Sequence, residues 1–319
     1  MKIVILEKEC LGIDVDFSPL YELGEIISYG DTSYEQIEER LKDADIAIIN
    51  RCRMEEATLK NVERLKLVCI MGTGTDMIDV PYMKERGIQV SNVRGYSTYS
   101  VAQHTFAILF YVLEHLRFFD DYVKQGKYVE GLQQTYTAER QFTQIAGKTF
   151  GICGLGTIGK KVADIASAFG ANVIYYSTSG KTVSDTYKSV SFEELLEQSD
   201  IISIHAPLTE QSRGLFDEEA FARMKKTAIL VNTGRGAIVN EDALAKALVD
   251  GQIQAAAIDV LVKEPASKEN PLYAIKDSDR LFITPHIAWA AREARQLVIE
   301  EMCETIRTFY DGKSRNVIW

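Results

Sequence analysis

Six residues constrain the architecture of this chain more than any others. They are G-L-G-T-I-G, carrying Gly154, Gly156 and Gly159, set directly between the apolar run Thr149 to Cys153 and the helix-like stretch K-K-V-A-D-I-A-S-A-F. Strand, G-x-G-x-x-G, helix is the context that a dinucleotide-binding turn requires. The first glycine permits the tight turn, the second lets a pyrophosphate approach the backbone, and the third lets the helix pack close to the strand. The N-terminus of the helix that follows supplies N–H groups and a positive dipole end to the anion, and Thr157 and Ile158 of the turn are expected cofactor contacts. A glycine turn required only by packing is the competing explanation.

The stretches around this turn repeat one grammar. Lys2 to Leu6, Ile46 to Asn50, Leu67 to Met71 and Ile88 to Ser91 are apolar and short enough to be buried strands. Tyr34 to Lys42, Thr58 to Arg64 and Pro81 to Arg86 separate them with helical spacing. A second series follows from Lys148: Thr149 to Cys153, Asn172 to Tyr176, Ile201 to His205, Ala228 to Asn232, Ala255 to Val260 and Leu281 to Thr284. Strands alternating with helices predict parallel α/β sheets, and 319 residues suffice for two such domains.

Between the series, Ser97 to Phe119 reads as one long helix that is apolar almost all round, so another domain or a second subunit must bury it on several sides. The polar stretch Asp120 to Gln144, with Tyr122, Tyr128 and Tyr136, then reads as an arm, and a homodimer is the economical expectation beside a large intramolecular interface. Ala288 to Tyr310 is helical again.

Forty-six acidic against 36 basic residues give a net charge of −10, and no Lys/Arg-rich run could follow a phosphate backbone, so nucleic acid is not an expected partner. No stretch approaches the ~18 apolar residues of a membrane span. The N-terminus lacks the apolar core and cleavage site of a signal peptide. Cys10, Cys52, Cys69, Cys153 and Cys303 show no C-x-x-C spacing and read as reduced, buried thiols, which points to the cytoplasm. No metal is expected, because no His, Cys and carboxylate cluster has ligand spacing.

The fingerprint calls for Asp or Glu at the end of the second strand, on the adenosine ribose; Ser177 stands there. Without that carboxylate, Ser177, Thr178, Ser179 and Lys181 can donate to a 2′-phosphate, but the loop has no Arg to clamp one. NAD(H) and NADP(H) are both open. G-T-G-T-D, Gly72 to Asp76, follows a strand without the third glycine and can form a nest for one carboxylate, or simply a structural turn. Three polar residues sit at consecutive strand ends: Arg235 in V-N-T-G-R-G, Glu264 after Asp259 in A-I-D-V-L-V-K-E-P, and His286 in I-T-P-H-I-A-W. In a doubly wound sheet these ends converge on the ligand.

Taken together, G-T-G-T-D-M-I-D, S-V-A-Q-H-T, G-L-G-T-I-G, H-A-P-L-T, V-N-T-G-R-G, D-V-x-x-x-E-P and T-P-H-I-A-W resemble the D-isomer-specific 2-hydroxyacid dehydrogenase family, in the family's order, and most resemble its glycerate dehydrogenase (hydroxypyruvate reductase) branch. The resemblance implies two Rossmann-like doubly wound domains with a cleft between them: 1–98 plus 287–319 for substrate, and an inserted 99–286 for NAD(P). It also implies hydride exchange between the cofactor and C2 of a small 2-keto acid, giving a D-2-hydroxy acid. A D-lactate or D-2-hydroxyisocaproate type of enzyme acting on a larger keto acid is the near alternative. A nucleotide-sensing corepressor is the distant one, since a transcriptional branch keeps the same Arg, Glu and His.

Within that reaction an imidazolium suits the proton donor, so His286 is expected as general acid, with Glu264 orienting it and favouring its charged form. Arg235 can fork onto the substrate carboxylate and polarise the carbonyl. The N–H groups of Thr73 and Gly74 would hold the carboxylate as well. The resemblance implies cofactor contacts for Asp259, Thr233 and the His205–Pro207 loop. His104 and His115 read as packed, hydrogen-bonded rings of the long helix. Arg51, Arg53 and Trp289 stay open between substrate-facing and structural roles.

Overall fold

The computed structural model describes residues 1–130 and 140–319, and the chain divides into two compact units: Met1–Ser97 with Ala290–Trp319, and Thr98–Trp289. In the first unit β1 (Lys2–Ile5), β2 (Glu25–Ser28), β3 (Ile46–Ile49), β4 (Leu67–Ile70) and β5 (Gln89–Ser91) form a parallel sheet in the order β2-β1-β3-β4-β5. β3 and β4 are buried at every residue, as apolar runs covered on both faces must be. β2 is an addition to the sequence reading. It lies at the sheet edge and buries neither end, so it carries no continuous apolar run. The helix expected at Thr58 to Arg64 instead spans Glu56–Leu59, because the Glu55 side chain and the Thr58 hydroxyl form a reciprocal cap that starts it two residues earlier.

The second unit contains β6 (Thr149–Cys153), β7 (Asn172–Tyr176), β8 (Lys188–Ser189), β9 (Ile201–Ile204), β10 (Ile229–Asn232), β11 (Ala255–Ile258) and β12 (Leu281–Ile283), all parallel, in the order β12-β11-β10-β9-β6-β7-β8. The chain builds outward from β6 to β8 and then returns to β9 on the other side. The strand order therefore reverses between β6 and β9, and the crevice outside the carboxyl ends of the strands at such a reversal is where ligands bind in open α/β sheets.

Alternation along the strands sorts the core into two layers. Phe150, Ile152, Ile201, Ile229, Val231, Ala255 and Ala257 face one side, and Ile202, Ile204, Leu230, Ala256 and Ile258 face the other. The first layer receives the helices Thr98–Leu113 and Thr157–Ala168, with Ala102, Phe106, Leu109 and Val112 fully or nearly buried. Each such large side chain removed from water contributes about 1.5–3 kcal/mol. The burial that the apolar pattern demanded thus comes from the unit's own sheet.

The expectation of one helix from Ser97 to Phe119 is corrected. The helix ends at Leu113 and a second runs Leu116–Lys124, with His115 between them at φ +53°. His115 turns inward, its Nδ1 3.5 Å from the Asp279 carboxylate, and a partner 164 residues away leaves no mark on local periodicity. The stretch assigned to an arm at Asp120 begins inside that second helix, and Lys127–Glu130 forms a further turn. Tyr136 lies outside the described residues.

Candidate active site

The glycine turn closes β6. Gly154 has φ +94°, and a Cβ there would come within 2.7 Å of the Ala206 nitrogen. A Cβ at Gly159 would run into the Gly154 carbonyl oxygen, whereas one at Gly156 would meet nothing within 4 Å. The outer glycines are therefore required by packing, and the middle one borders open space. Gly156 is also the N-cap of the helix Thr157–Ala168 and brings no side-chain acceptor, so the first-turn N–H groups of Thr157, Ile158 and Gly159 are left for an anion. These residues fit a dinucleotide pyrophosphate.

At the end of β7, Ser177 starts a tight turn. Its carbonyl accepts from Gly180 N at 3.1 Å, and its hydroxyl accepts from Thr182 N at 3.2 Å. Gly180, at φ +66°, makes the bend, and Lys181 is exposed beyond it.

At the other end of the sheet, His286 Nδ1 lies 2.6 Å from Glu264 Oε2. Burial alone would raise the Glu264 carboxyl, but the hydrogen bond from His286, the ring's charge and the Leu261 N–H at 2.8 Å outweigh it and hold the group below the ordinary carboxylate range. Because Nδ1 faces the carboxylate, Nε2 is the ring atom left to meet a substrate, on a side chain 40% exposed. His286 has φ +56°, an uncommon conformation for a histidine, and several bonds hold it. Its N–H donates to Asp259 O at 2.8 Å, and its carbonyl accepts from the Trp289 indole at 2.8 Å.

Asp259, fully buried, organises the same loop. Oδ1 accepts from the Thr284 hydroxyl at 2.6 Å and from Ile287 N at 2.9 Å, and Oδ2 accepts from Ala288 N at 2.8 Å. Desolvation pushes this carboxyl up, and the bonds from His104, Thr284, Ala288 and Ile287 together bring it below its ordinary value. His104 Nε2 stands 3.0 Å from Thr284 Oγ1, and one turn earlier on the same helix Ser100 Oγ donates to Ala288 O at 2.6 Å.

Arg235 follows β10 and is half-buried, with one guanidinium nitrogen 3.0 Å from Gly234 O. Asn232 fixes the turn, its Oδ1 accepting from Gly234 N at 3.0 Å and its Nδ2 donating to Arg235 O at 3.1 Å. Thr233 Oγ1 contacts Thr105 Oγ1 at 3.1 Å and His205 Nδ1 at 3.3 Å, and His205 Nε2 is 2.8 Å from Ser203 Oγ. Enclosure pushes the His205 imidazole down to about 3, so this ring is neutral at physiological pH and is no proton donor. Pro207 is exposed in the next turn, its carbonyl accepting from Ser212 Oγ at 2.8 Å. The carboxyl ends of β6, β9, β10, β11 and β12 thus present the glycine turn, His205, Arg235, Asp259 and His286 on one edge of one sheet.

The first unit has its own polar edge. The turn after β4 is fixed by Thr73 Oγ1 donating to Val93 O at 2.7 Å and by Asn92 Nδ2 donating to Thr73 O at 2.7 Å. Among the described residues no acceptor takes the N–H groups of Thr73 and Gly74. After the neighbouring β3, the buried Glu7 accepts three successive N–H groups, from Asn50 at 2.7 Å, Arg51 at 2.8 Å and Cys52 at 3.0 Å. Arg51 and Arg53 are 71% and 65% exposed, each with a carboxylate at 3.8 Å. Sequence reading missed Glu7 and Thr284. For Glu7 the one available signal was a carboxylate at the end of a wholly apolar run.

Residues 106–288 match the family model described as D-isomer specific 2-hydroxyacid dehydrogenase, NAD binding domain. The chain is 36% identical over 318 residues to a glycerate dehydrogenase of Methylorubrum extorquens, covering 99% of this chain and 98% of that one. It is 34% identical over 324 residues to a hydroxypyruvate reductase of Blautia hydrogenotrophica, covering 100% and 99%. Among solved structures, an acyclic imino acid reductase in complex with NADPH and D-Arg superposes with a TM-score of 0.88 at 31% identity, over 100% of both chains. The chain belongs to the D-isomer specific 2-hydroxyacid dehydrogenase family, and it is an NAD(P)-dependent oxidoreductase.

Proposed function

We propose that the protein reduces a small 2-keto acid of the hydroxypyruvate or glyoxylate kind to the D-2-hydroxy acid, with His286 as proton donor. The observation that carries this reading is the 2.6 Å pair of His286 Nδ1 and Glu264, which commits one ring nitrogen to the carboxylate and leaves Nε2 for the substrate oxygen. The names of the relatives from Methylorubrum and Blautia support the substrate class.

When bound, the nicotinamide supplies the hydride to C2. As the carbonyl oxygen takes on negative charge, His286 Nε2–H gives it the proton, and in the reverse direction neutral Nε2 takes the proton from the hydroxyl. Glu264 orients the ring and offsets its positive charge. Arg235 binds the carboxylate and polarises the carbonyl with its planar fork. We assign the free N–H groups of Thr73 and Gly74 to the substrate carboxylate, and hence substrate binding to the first unit. Gly154, Gly156, Thr157, Ile158 and Gly159 would hold the pyrophosphate. Ser177, Thr178 and Lys181 would hold the adenosine ribose or its phosphate. His205, Pro207, Thr233 and Asp259 would line the path towards the nicotinamide. Asp259 keeps acceptor capacity beyond its bonds from Thr284, Ile287 and Ala288 and its 3.5 Å contact with His104.

A homodimer is part of the proposal, supported by the exposed apolar side chains Leu116, Val123, Tyr128, Val129 and Phe142 in and after the second helix of this region. A cytoplasmic site is supported by five free thiols. Among the described residues no helix is long and apolar enough to cross a membrane.

The deciding experiment is turnover of hydroxypyruvate, glyoxylate, pyruvate and branched 2-keto acids with NADH and with NADPH, beside the His286→Ala variant. Loss of about 10²-fold to 10⁴-fold in kcat, with cofactor affinity kept, is the expected result for the variant. Wild-type turnover by it would remove His286 from the reaction, and no turnover of any keto acid would favour a nucleotide-sensing protein.

A further inference from the structure

We propose that His104 is a positioning residue for His286, acting on its loop through Thr284 and Asp259. The inference rests on His286 being the proton donor. Proton counting fixes its direction. Asp259 is ionised and can only accept, so Thr284, 2.6 Å away, must give it the single hydroxyl proton. The 3.0 Å contact between His104 Nε2 and Thr284 Oγ1 is then made by a proton on Nε2. The relay runs from His104 N–H to the Thr284 oxygen, the nearer acceptor at 3.0 Å against 3.5 Å for Asp259 Oδ1, and from the Thr284 O–H to Asp259. The Asp259 oxygens hold the N–H groups of Ile287 and Ala288, the two residues after His286.

Two features make this relay more than packing. His286 sits at φ +56°, a conformation that persists for a bulky residue only when its surroundings impose it. The helix grips the loop twice from one face, since Ser100, four residues before His104, donates to Ala288 O at 2.6 Å. Without the His104 donor, the Thr284 hydroxyl can turn away from Asp259, and the N–H groups that fix the His286 backbone lose their fixed acceptor. A displacement of about 1 Å in a reacting group can cost about 10²-fold in rate.

His104→Leu keeps most of the volume and removes the donor, and Thr284→Val cuts the middle link. Each is expected to lower kcat for hydroxypyruvate by about 10-fold to 100-fold while KM and the NADH dissociation constant stay within about twofold. His104→Gln and Thr284→Ser, which keep a donor and a hydroxyl, are expected to recover activity to within about threefold of the wild type. In a His286→Ala background, His104→Leu should cost nothing further, because the group it positions is gone. The chain has four histidines, so the ring signals of His286 can be followed by NMR in the cofactor-free protein. They should move in His104→Leu and return in His104→Gln. An equal loss in both backgrounds, or unmoved His286 signals, overturns the proposal and leaves the proton-donor reading standing. An active His286→Ala enzyme overturns that reading itself. If His104→Leu does not fold, Thr284→Val and its serine control carry the same test.

Discussion

In the proposed reaction one hydrogen bond divides the labour between the two nitrogens of His286, and removing the charge behind it tests that proposal. Glu264→Gln keeps the size of the side chain and its contact to Nδ1 but abolishes the negative charge, so the ring holds its proton less well. Reduction uses the protonated ring, and its alkaline limb should move to lower pH. Oxidation uses the neutral ring, and its acid limb should move the same way. Profiles that stay in place while kcat falls would reduce Glu264 to an orienting group. At the far end of the sheet, Lys181 is exposed beyond a turn with no carboxylate to repel a 2′-phosphate and no Arg to clamp one, so both NADH and NADPH should be used. Lys181→Ala should then raise the KM for NADPH selectively. Strict NADH dependence with a silent Lys181→Ala would refute this. Arg235, Glu264 and His286 were legible in the sequence because each is a charged or titratable residue set just beyond an apolar strand. Thr284 was not, since a threonine is ordinary there until its partner His104, 180 residues earlier, is brought beside it.

Among the elements, the turn after β6 separates two kinds of glycine. A Cβ at Gly159 meets the Gly154 backbone, which cannot give way, so Gly159→Ala should destabilise the fold by about 1–3 kcal/mol, as overpacking does. A Cβ at Gly156 meets nothing, so Gly156→Ala should leave Tm nearly unchanged and weaken cofactor binding. Thermal unfolding and cofactor titration of both variants give the comparison, and equal losses of Tm would show that Gly156 is structural. Strand and turn were readable here because strand, glycines and helix are contiguous. The break at His115 was not, because apolar spacing continues across it while the groups beside the inward-turned ring, Asp279 and the Gln141 carbonyl, come from other segments.

For the whole molecule, acid is the informative stress. Asp259 titrates below its ordinary 3.8 in the fold, so its contribution to stability is fully present above that value and is lost as pH falls through the lower folded one. Denaturant unfolding of the wild type should therefore show stability declining from about pH 4 downward. Asp259→Asn should be less stable at neutral pH and show a shallower decline. Parallel declines in the two proteins would mean that other carboxylates, such as Asp45 and Asp200, which are also held low, dominate.

The sequence by itself determined the parallel α/β class, the dinucleotide turn and the identity of the three polar strand ends, because each is written within a dozen residues whose periodicity or spacing has one physical meaning. Only the tertiary structure decided which groups touch. It showed that the apolar helix Thr98–Leu113 is buried by its own sheet, that Glu7 holds the three N–H groups of Asn50 to Cys52, and that His104, Thr284 and Asp259 form one connected set beneath His286. These contacts join residues from 25 to 180 positions apart. Hydrogen bonds of that kind depend on atoms arriving within about 3 Å. Local residue preferences do not encode such a distance; the packing of strands and helices against one another does.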